Sequence, residues 1–518
     1  MSVEAKSLTT ARRGAYIKRG AQPHMESDKH HSRLMEKVRL AMYSRPFVCV
    51  AARSCRRIEL VTVALMLFTV GGTSCSRPVA QREYPVQRDF PNVLLISIDT
   101  TRRDHCSTYG YQRPTTPVLD ELGEQGAVFD LAYAPIATTA PSHATMLTGC
   151  YPISHRLIKN GLTLDDDYTT LPEMLRPHGF QSAAVVSAFV LDSKFGLAQG
   201  FDHYDDEIPP TETTWKRDEL QGLTVPQGSV DRRADFTSSR AIQWLRSQRN
   251  PERPFFMLVH YFAPHFPYVP PEEFAQRFVP AGAVRQSMRE QVGLYDAEIA
   301  YTDTEIGRLL KELETLQIDQ NTIVVLTADH GEGLKQHGYM FHAIHIYEEA
   351  VRVPLIIRYP PQIPAGRRFA EPVEFTDLVP TLLDLLEIDV PAGLFQGTNL
   401  AGALRGEAEL EPGRAIFLHR RHFSGLYRGN QFVKGELFGI RKGDWKYIEG
   451  KEEKLRQLFN LQDDPLERKN LLNQYPENAQ RLVQLLEQWR RTNYNAKPAL
   501  NYMTDEDIRK LRSLGYVQ

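Results

Sequence analysis

The stretch Thr139-Ala140-Pro141-Ser142-His143-Ala144-Thr145-Met146-Leu147-Thr148-Gly149 decides the fold. Pro141 and Ser142 are good first-turn residues, and Ala144 to Leu147 are mostly strong helix formers, so the stretch predicts a helix that starts at Thr139. A hydroxyl at the head of such a helix faces free backbone N–H groups and the positive end of the helix dipole. That setting suits an anionic substrate such as a phosphate or sulfate ester. Taken alone, the run favours an ordinary N-cap threonine. The segments around it decide otherwise.

Val93 to Ile98 is a nearly continuous apolar run and predicts a buried strand ending at Asp99. Further buried strands are predicted at Ala183–Val190, Pro254–Phe262, Thr322–Leu326 and Pro354–Arg358. Helical patterns lie between them, at Pro117–Gln125 and most clearly at Arg289–Leu316. Strands alternating with helices imply an α/β fold whose mostly parallel central sheet is covered on both faces. Ligands of such sheets bind beyond the carboxyl ends of the strands. Asp99, Asp329-His330 and His265 all fall there. After about residue 400 the texture changes. Phe438–Ile448 and Leu458–Leu461 read as short antiparallel strands, with a turn at Lys442-Gly443-Asp444. A helix over Pro476–Arg491 follows, then a short helical segment within Met503–Gln518.

Three motifs carry the chemistry. In Ile98-Asp99-Thr100-Thr101-Arg102-Arg103-Asp104, Asp99 is a hard oxygen ligand at a strand end, suited to a divalent cation. In Thr327-Ala328-Asp329-His330-Gly331-Glu332-Gly333, Asp329 offers oxygen and His330 nitrogen, a mixture that fits zinc, manganese or calcium. In His260-Tyr261-Phe262-Ala263-Pro264-His265-Phe266-Pro267-Tyr268, His265 is the candidate general acid, its unperturbed pKa lying near neutrality. His260 reads as a satisfied core histidine.

The Thr139–Gly149 run resembles the signature of the sulfatase family, Cys-x-Pro-Ser-Arg-Ala followed by Leu-Thr-Gly. Thr139 stands where sulfatases carry the cysteine or serine oxidised to formylglycine, and His143 stands in place of arginine. The Thr-x-Pro-x-His form also resembles threonine-nucleophile phosphodiesterases of the wider alkaline-phosphatase superfamily. The Asp-His-Gly and Pro-His-x-Pro motifs match the same family in order, and the resemblance runs from Pro91 to about Asn473. It implies an alkaline-phosphatase-like sandwich with a small C-terminal α+β subdomain. It further implies a cation held by Asp99, Thr139, Asp329 and His330, and catalytic roles for Thr139, His143 and His265. The Asn160-Gly161 loop resembles a substrate-contacting loop. His342, where many sulfatases have lysine, is placed to contact the anion or a second metal. Thr100 replaces a second aspartate. The family's Gly-Lys-Trp-His is missing, Val186 to Asp192 standing in its place. Glu348 and Glu349 read as structural supports.

The length of 518 residues allows one large domain and a smaller one. The expected organisation is a basic extension over 1–57 and an export signal or anchor over 58–75. A linker over 76–90, a catalytic domain over 91–400, a subdomain over 401–495 and a tail over 496–518 follow. Residues 1–57 hold 13 Lys/Arg against 4 Asp/Glu, a net +9, which leaves −11 for the remainder of a chain totalling −2. An acidic body argues against nucleic acid as a partner. The extension reads as disordered, processed, or upstream of the true start, for which Met25, Met35 and Met42 are alternatives. Arg56-Arg57, the apolar Leu60–Val70 and Gly71-Gly72-Thr73-Ser74-Cys75 resemble a bacterial lipoprotein signal, with an uncleaved anchor helix as the alternative. Either way the expected location is the cell envelope, the protein held on the membrane by lipid or anchor. Cleavage before Cys75 leaves Cys106 and Cys150, which form no disulfide framework.

The chemistry expected is cation-assisted attack by Thr139 on phosphorus or sulfur, with His265 protonating the leaving oxygen. The substrate class is a small-molecule, glycan or lipid ester. A threonine closes the formylglycine route, which favours a phosphoester, phosphodiester or phosphonate-type, over a sulfate ester. A sulfate-ester hydrolase acting through the threonine is the alternative. A metal-binding envelope protein without catalysis is the rival from another class. The oligomeric state has no signature in the chain.

Overall fold

The computed structural model describes residues 90–208, 231–389, 393–428, 431–495, 497 and 500–513. The basic extension, the apolar stretch with Cys75 and nearly all of the linker lie outside the described residues.

Two sheets organise the described chain. The larger has nine strands: β1 (Asn92–Ile98), β2 (Ala127–Tyr133), β3 (Gln181–Val185), β4 (His203–Asp205), β5 (Phe255–Tyr261), β6 (Thr322–Ala328), β7 (Arg352–Val353), β8 (Leu355–Arg358) and β9 (Arg367–Glu374). Their order is β4-β3-β5-β1-β6-β8-β2-β7, with β9 also paired to β2. The half from β4 to β6 is parallel throughout. β8 turns antiparallel against β6 and β2. The expected mostly parallel α/β sheet is therefore present. Its central strands are buried from end to end, which explains their nearly continuous apolar runs.

Alternation along β1 sorts the two faces. Leu94, Ile96 and Ile98 point toward the helices Ala234–Ser247 and Met288–Thr315, while Val93 and Leu95 join the core that includes Ala140, Ala144 and Leu147 of the Thr139–Thr148 helix. Period two then puts Ser97 and Asp99 on the face carrying the Thr139 helix.

The second sheet is an antiparallel meander, β10 (Ala415–Arg428), β11 (Gln431–Lys442), β12 (Trp445–Gly450) and β13 (Leu455–Asn460). The helix Pro476–Asn493 lays Ala479, Leu482, Leu486 and Trp489 against it. The turn at Gly443, with φ of 58°, joins β11 to β12 as expected. Buried charge ties this sheet to the main core. Lys446 Nζ on β12 lies 3.0 Å from Glu348 Oε1 and 2.9 Å from Glu467 Oε1. Glu467 Oε2 accepts the Glu348 backbone N–H at 2.6 Å, and Tyr133 donates its hydroxyl to Glu348 at 2.8 Å. Glu348 is thus the structural support that its position predicts, while Cys106 and Cys150 are free, buried thiols.

One strand differs from expectation. The apolar run Ala183–Val190 is extended only to Val185. Val186 N–H bonds Asp205 O, and Phe189–Leu191 curl into a single turn that buries all three side chains. Hydrophobicity marks burial there, not strand, because a short apolar run fits either.

Removing the buried lysine takes the nearest cation from both carboxylates and leaves Glu348 with the more distant Arg441 and Arg352, at 3.8 and 3.9 Å. Lys446→Met should therefore lower stability by about 3–5 kcal/mol, read as a shift of the chemical denaturation midpoint. An unchanged midpoint would show that the ionic link contributes nothing.

Candidate active site

Strand register brings the site together. Ile98 at the end of β1 pairs with Ala328 at the end of β6, so the next residues, Asp99 and Asp329, emerge side by side. On the other flank Ser97 pairs with His260 of β5, which puts His260 on the same face as Asp99. All three side chains are fully buried. Their donor atoms lie within 4.8 Å of one another. His330 adds its Nε2 at 3.8 Å from Asp99 Oδ1 and 3.5 Å from Asp329 Oδ2.

The Thr139–Thr148 helix closes this cluster from above. Thr138 occupies the N-cap position and Thr139 is the first helical residue, so the N-cap reading of Thr139 does not hold. Gly149 ends the helix in the left-handed region at φ 67°, and a Cβ there would meet Phe395 at 2.8 Å. Thr139 Oγ1 stands 3.4 Å from His330 Nε2. The Ala140 N–H donates to Asn160 Oδ1 at 3.0 Å. That bond fixes the Asn160 amide, whose buried Nδ2 has no partner. His143 donates Nδ1–H to the Thr139 carbonyl at 2.8 Å and packs edge-to-face on His260. Its Nε2 is buried and without a partner.

His265 and His342 complete the wall. The His342 ring lies over His330 at a centroid distance of 4.5 Å and beside His265 at 5.0 Å. His342 Nδ1 is 3.4 Å from the buried carboxyl of Glu332, which also receives the Tyr268 hydroxyl at 3.4 Å. His265 donates Nδ1–H to the Phe266 carbonyl at 2.6 Å. Every residue singled out in the sequence for this site converges on it. His345 does not join them: it packs on Tyr339 and Tyr347.

His260 was not expected. It lies 3.5 Å from Asp99 Oδ2 instead of being satisfied within the core. The missed signal is its position as the penultimate residue of β5, near the carboxyl end where the site is built.

Burial dominates the electrostatics. It pulls the pKa of both His143 and His260 to about 4 and that of His265 well below 6.5, with His342 adding to the last. Burial likewise lifts Glu332 to about 8. His330 goes the other way: the Asp329 and Asp99 carboxylates overcome burial and raise it. Asp99 is raised by burial and by the charge of Asp329. Two buried acids this close, with Asp99 Oδ1, Asp99 Oδ2 and Asp329 Oδ2 all lacking hydrogen-bond partners, form a donor set that fits a divalent cation.

The comparisons with known proteins agree. Residues 91–388 match the Sulfatase family, and residues 335–493 match the C-terminal region of N-sulphoglucosamine sulphohydrolase. The chain belongs to the sulfatase family. Among its relatives, the N-acetylglucosamine-6-O-sulfatase of Bacteroides thetaiotaomicron is 26% identical, across 82% of this chain and 90% of that protein. The ulvan-active sulfatase of Formosa agariphila is 25% identical, across 83% and 85%. A solved complex of a protein with its substrate D-glucosamine-2-N,6-O-disulfate superposes with a TM-score of 0.65 at 23% identity, covering 79% of this chain and 99% of that one. The phosphonate monoester hydrolase of Agrobacterium radiobacter gives 0.62 at 23%, covering 80% and 100%. The protein is an ester-hydrolysing enzyme of the sulfatase family, on an alkaline-phosphatase-like α/β fold.

A cation in this site should stabilise the protein by about 2.7 kcal/mol at a free concentration of 100 times its Kd. Asp99→Asn should raise the melting temperature of the chelated protein, because it removes one of two opposed charges, and should abolish the cation-dependent rise. Thermal melts with and without chelator check both. Equal cation-dependent shifts in the two proteins would remove Asp99 from the site.

Proposed function

We propose that this sulfatase-family enzyme hydrolyses an anionic ester through Thr139, with a phosphoester, either a diester or a phosphonate-type ester, as the favoured substrate. The observation that carries this reading is the Thr139 hydroxyl, buried at the head of a helix and 3.4 Å from His330 Nε2, beside three carboxylate oxygens of Asp99 and Asp329 that have no hydrogen-bond partner. Threonine cannot be converted to formylglycine, so the hydroxyl itself must act.

Asp99, Asp329, His330 and Thr139 would hold a divalent cation, which supplies charge neutralisation and a lowered pKa for the threonine hydroxyl. The remaining steps belong to the chain. Thr139 releases its hydroxyl proton to solvent, its Oγ1 attacks the phosphorus in line, and the bond from phosphorus to the leaving oxygen breaks. His265 delivers a proton to that oxygen, its own protonation favoured by the arriving anion. The backbone N–H groups at the helix start and the fixed Nδ2 of Asn160 receive non-bridging oxygens. His342 shapes the anion side of the pocket. His143 keeps the Thr139 carbonyl occupied, so the first turn stays wound while the hydroxyl reacts. Water then cleaves the phosphoryl or phosphonyl ester of Thr139, which releases a phosphate monoester or a phosphonate and restores the hydroxyl.

Sulfate-ester hydrolysis through the same threonine is the second reading. It is favoured by the curated relatives, which are named as sulfatases. The substrate carrier in either case is a small molecule, glycan or lipid. The lipoprotein-like signal supports a mature enzyme that begins at Cys75 in the cell envelope. Cys75→Ala should then abolish lipidation and release the protein from membranes, as followed by fractionation and N-terminal mass spectrometry. An unprocessed cytosolic chain would refute the export reading.

Thr139→Ala should lower kcat at least 10³-fold without loss of the fold, and Thr139→Ser should retain part of the rate. A rapid quench with a phosphodiester or phosphonate monoester should trap the substituted phosphoryl or phosphonyl group on Thr139, visible by peptide mass spectrometry. Parallel assays with a sulfate monoester decide between the two substrate classes. Wild-type turnover by Thr139→Ala would end the nucleophile assignment.

A further inference from the structure

His143, His265 and His330 share one device. Each donates Nδ1–H to a backbone carbonyl, of Thr139 at 2.8 Å, Phe266 at 2.6 Å and Gly331 at 2.9 Å. A neutral imidazole has a single N–H, so each of these rings carries its lone pair on Nε2. For His330 that is the tautomer a cation requires.

His260 is built the opposite way. The backbone N–H of Ser187 points at its Nδ1, 3.4 Å away. The lone pair is therefore on Nδ1 and the hydrogen on Nε2, since a hydrogen on Nδ1 would meet the Ser187 N–H head-on. Ser187 cannot easily give way. Its hydroxyl bonds the Thr237 hydroxyl at 2.6 Å, and its carbonyl accepts the Arg232 N–H at 2.9 Å. His260 Nε2 in turn lies 3.5 Å from Asp99 Oδ2, and both atoms are buried without a hydrogen-bond partner, so an Nε2–H here has this carboxylate oxygen as its nearest acid.

We propose that His260 is a positioning residue and not a cation ligand. Its Nε2–H holds Asp99 Oδ2, which leaves Asp99 Oδ1, the oxygen on the His330 side, turned toward the cation. The proposal rests on the cation site described above. It accounts for the proximity of His260 to both acids, which by distance alone would make it a ligand. It also gives Asp99 a fixed direction in a site where Thr100 follows it and no second acid from β1 shares the load.

The test uses full-length protein labelled with 15N-histidine, read by long-range 1H–15N correlation before and after Zn²⁺ addition. The His260→Gln spectrum identifies the His260 signals. His260 should keep a protonated Nε2 and a bare Nδ1 in both states, while the Nε2 of His330 shifts on Zn²⁺ addition. A His260 ring that gains a hydrogen on Nδ1 and shifts at Nε2 with Zn²⁺ would overturn the proposal. Zn²⁺ affinities provide a second, independent readout. His260→Ala should weaken Zn²⁺ binding about 10–100-fold. His260→Gln, whose amide N–H can donate but whose oxygen is a poor zinc ligand, should recover most of that loss. Equal weakening by Gln and Ala would make the ring a ligand. Neither measurement needs turnover. Failure of the hydrolysis assays would therefore strike the proposed reaction and leave His260 to be judged by its spectra and affinities.

Discussion

The in-register pairing of β1 with β6 is the constraint on which the site depends. Once Ile98 is opposite Ala328, the chain has no choice but to deliver Asp99 and Asp329 as neighbours at the sheet edge. Parallel strands make this possible because all their carboxyl ends lie together. The pairing is held by apolar side chains buried on both faces, at roughly 25 cal/mol per Å² removed from water. That burial offsets the cost of gathering two acids and several imidazoles where water does not reach. A slip of either strand by one residue would turn that strand's aspartate to the opposite face and dissolve the site.

Backbone groups set the chemistry of these side chains as much as the side chains do. His143, His260, His265 and His330 are steered by carbonyls or by an N–H of the main chain, and Asn160 is steered by the Ala140 N–H. A buried imidazole that can hold only one hydrogen becomes a donor or an acceptor according to the backbone group beside it. The Thr139 helix adds its own N-terminal field. Charge on the protein side is correspondingly sparse. His143 takes the place of the arginine in the sulfatase signature, and burial keeps its ring neutral at pH 7. Val186 to Asp192 supply apolar core where the family's Lys and His would stand. In the proposed reaction the anion would meet mainly fixed dipoles, which cost no reorganisation.

The short helix Glu348–Val351 is one link between the C-terminal sheet and this centre. Glu348 is bonded by Tyr133 from β2, Lys446 from β12 and, at its backbone, Glu467 from beyond β13. The Glu349 carbonyl accepts the Glu332 N–H, and the Ala350 carbonyl accepts the Gly331 N–H. Gly331 lies so close to this helix that a Cβ would sit 2.0 Å from the Glu349 carbonyl oxygen. The Asp329-His330 loop is therefore seated directly on the element that anchors the second sheet.

Local chemistry made much of this legible from the chain alone. The runs Val93–Ile98 and Thr322–Leu326 announce buried strands because no half-exposed strand is apolar at every position. Pro141, Ser142 and the residues after them announce a helix whose first residue is Thr139. Asp99, Asp329, His330 and His265 stand out because polar residues directly after such strands must face a ligand. Local pattern failed where burial and conformation part ways, as at Val186–Val190, which is apolar yet turns. It also missed β2, whose Asp130 interrupts the run, and β10, where charged residues punctuate the strand. What the sequence determined was which residues could do chemistry and at which ends of which elements they stand. Only the tertiary structure decided that His260 is among them, because its role follows from the register of β5 on β1 and from the Ser187 N–H behind its ring. Both are pairings between residues far apart in the chain, and no local preference encodes them.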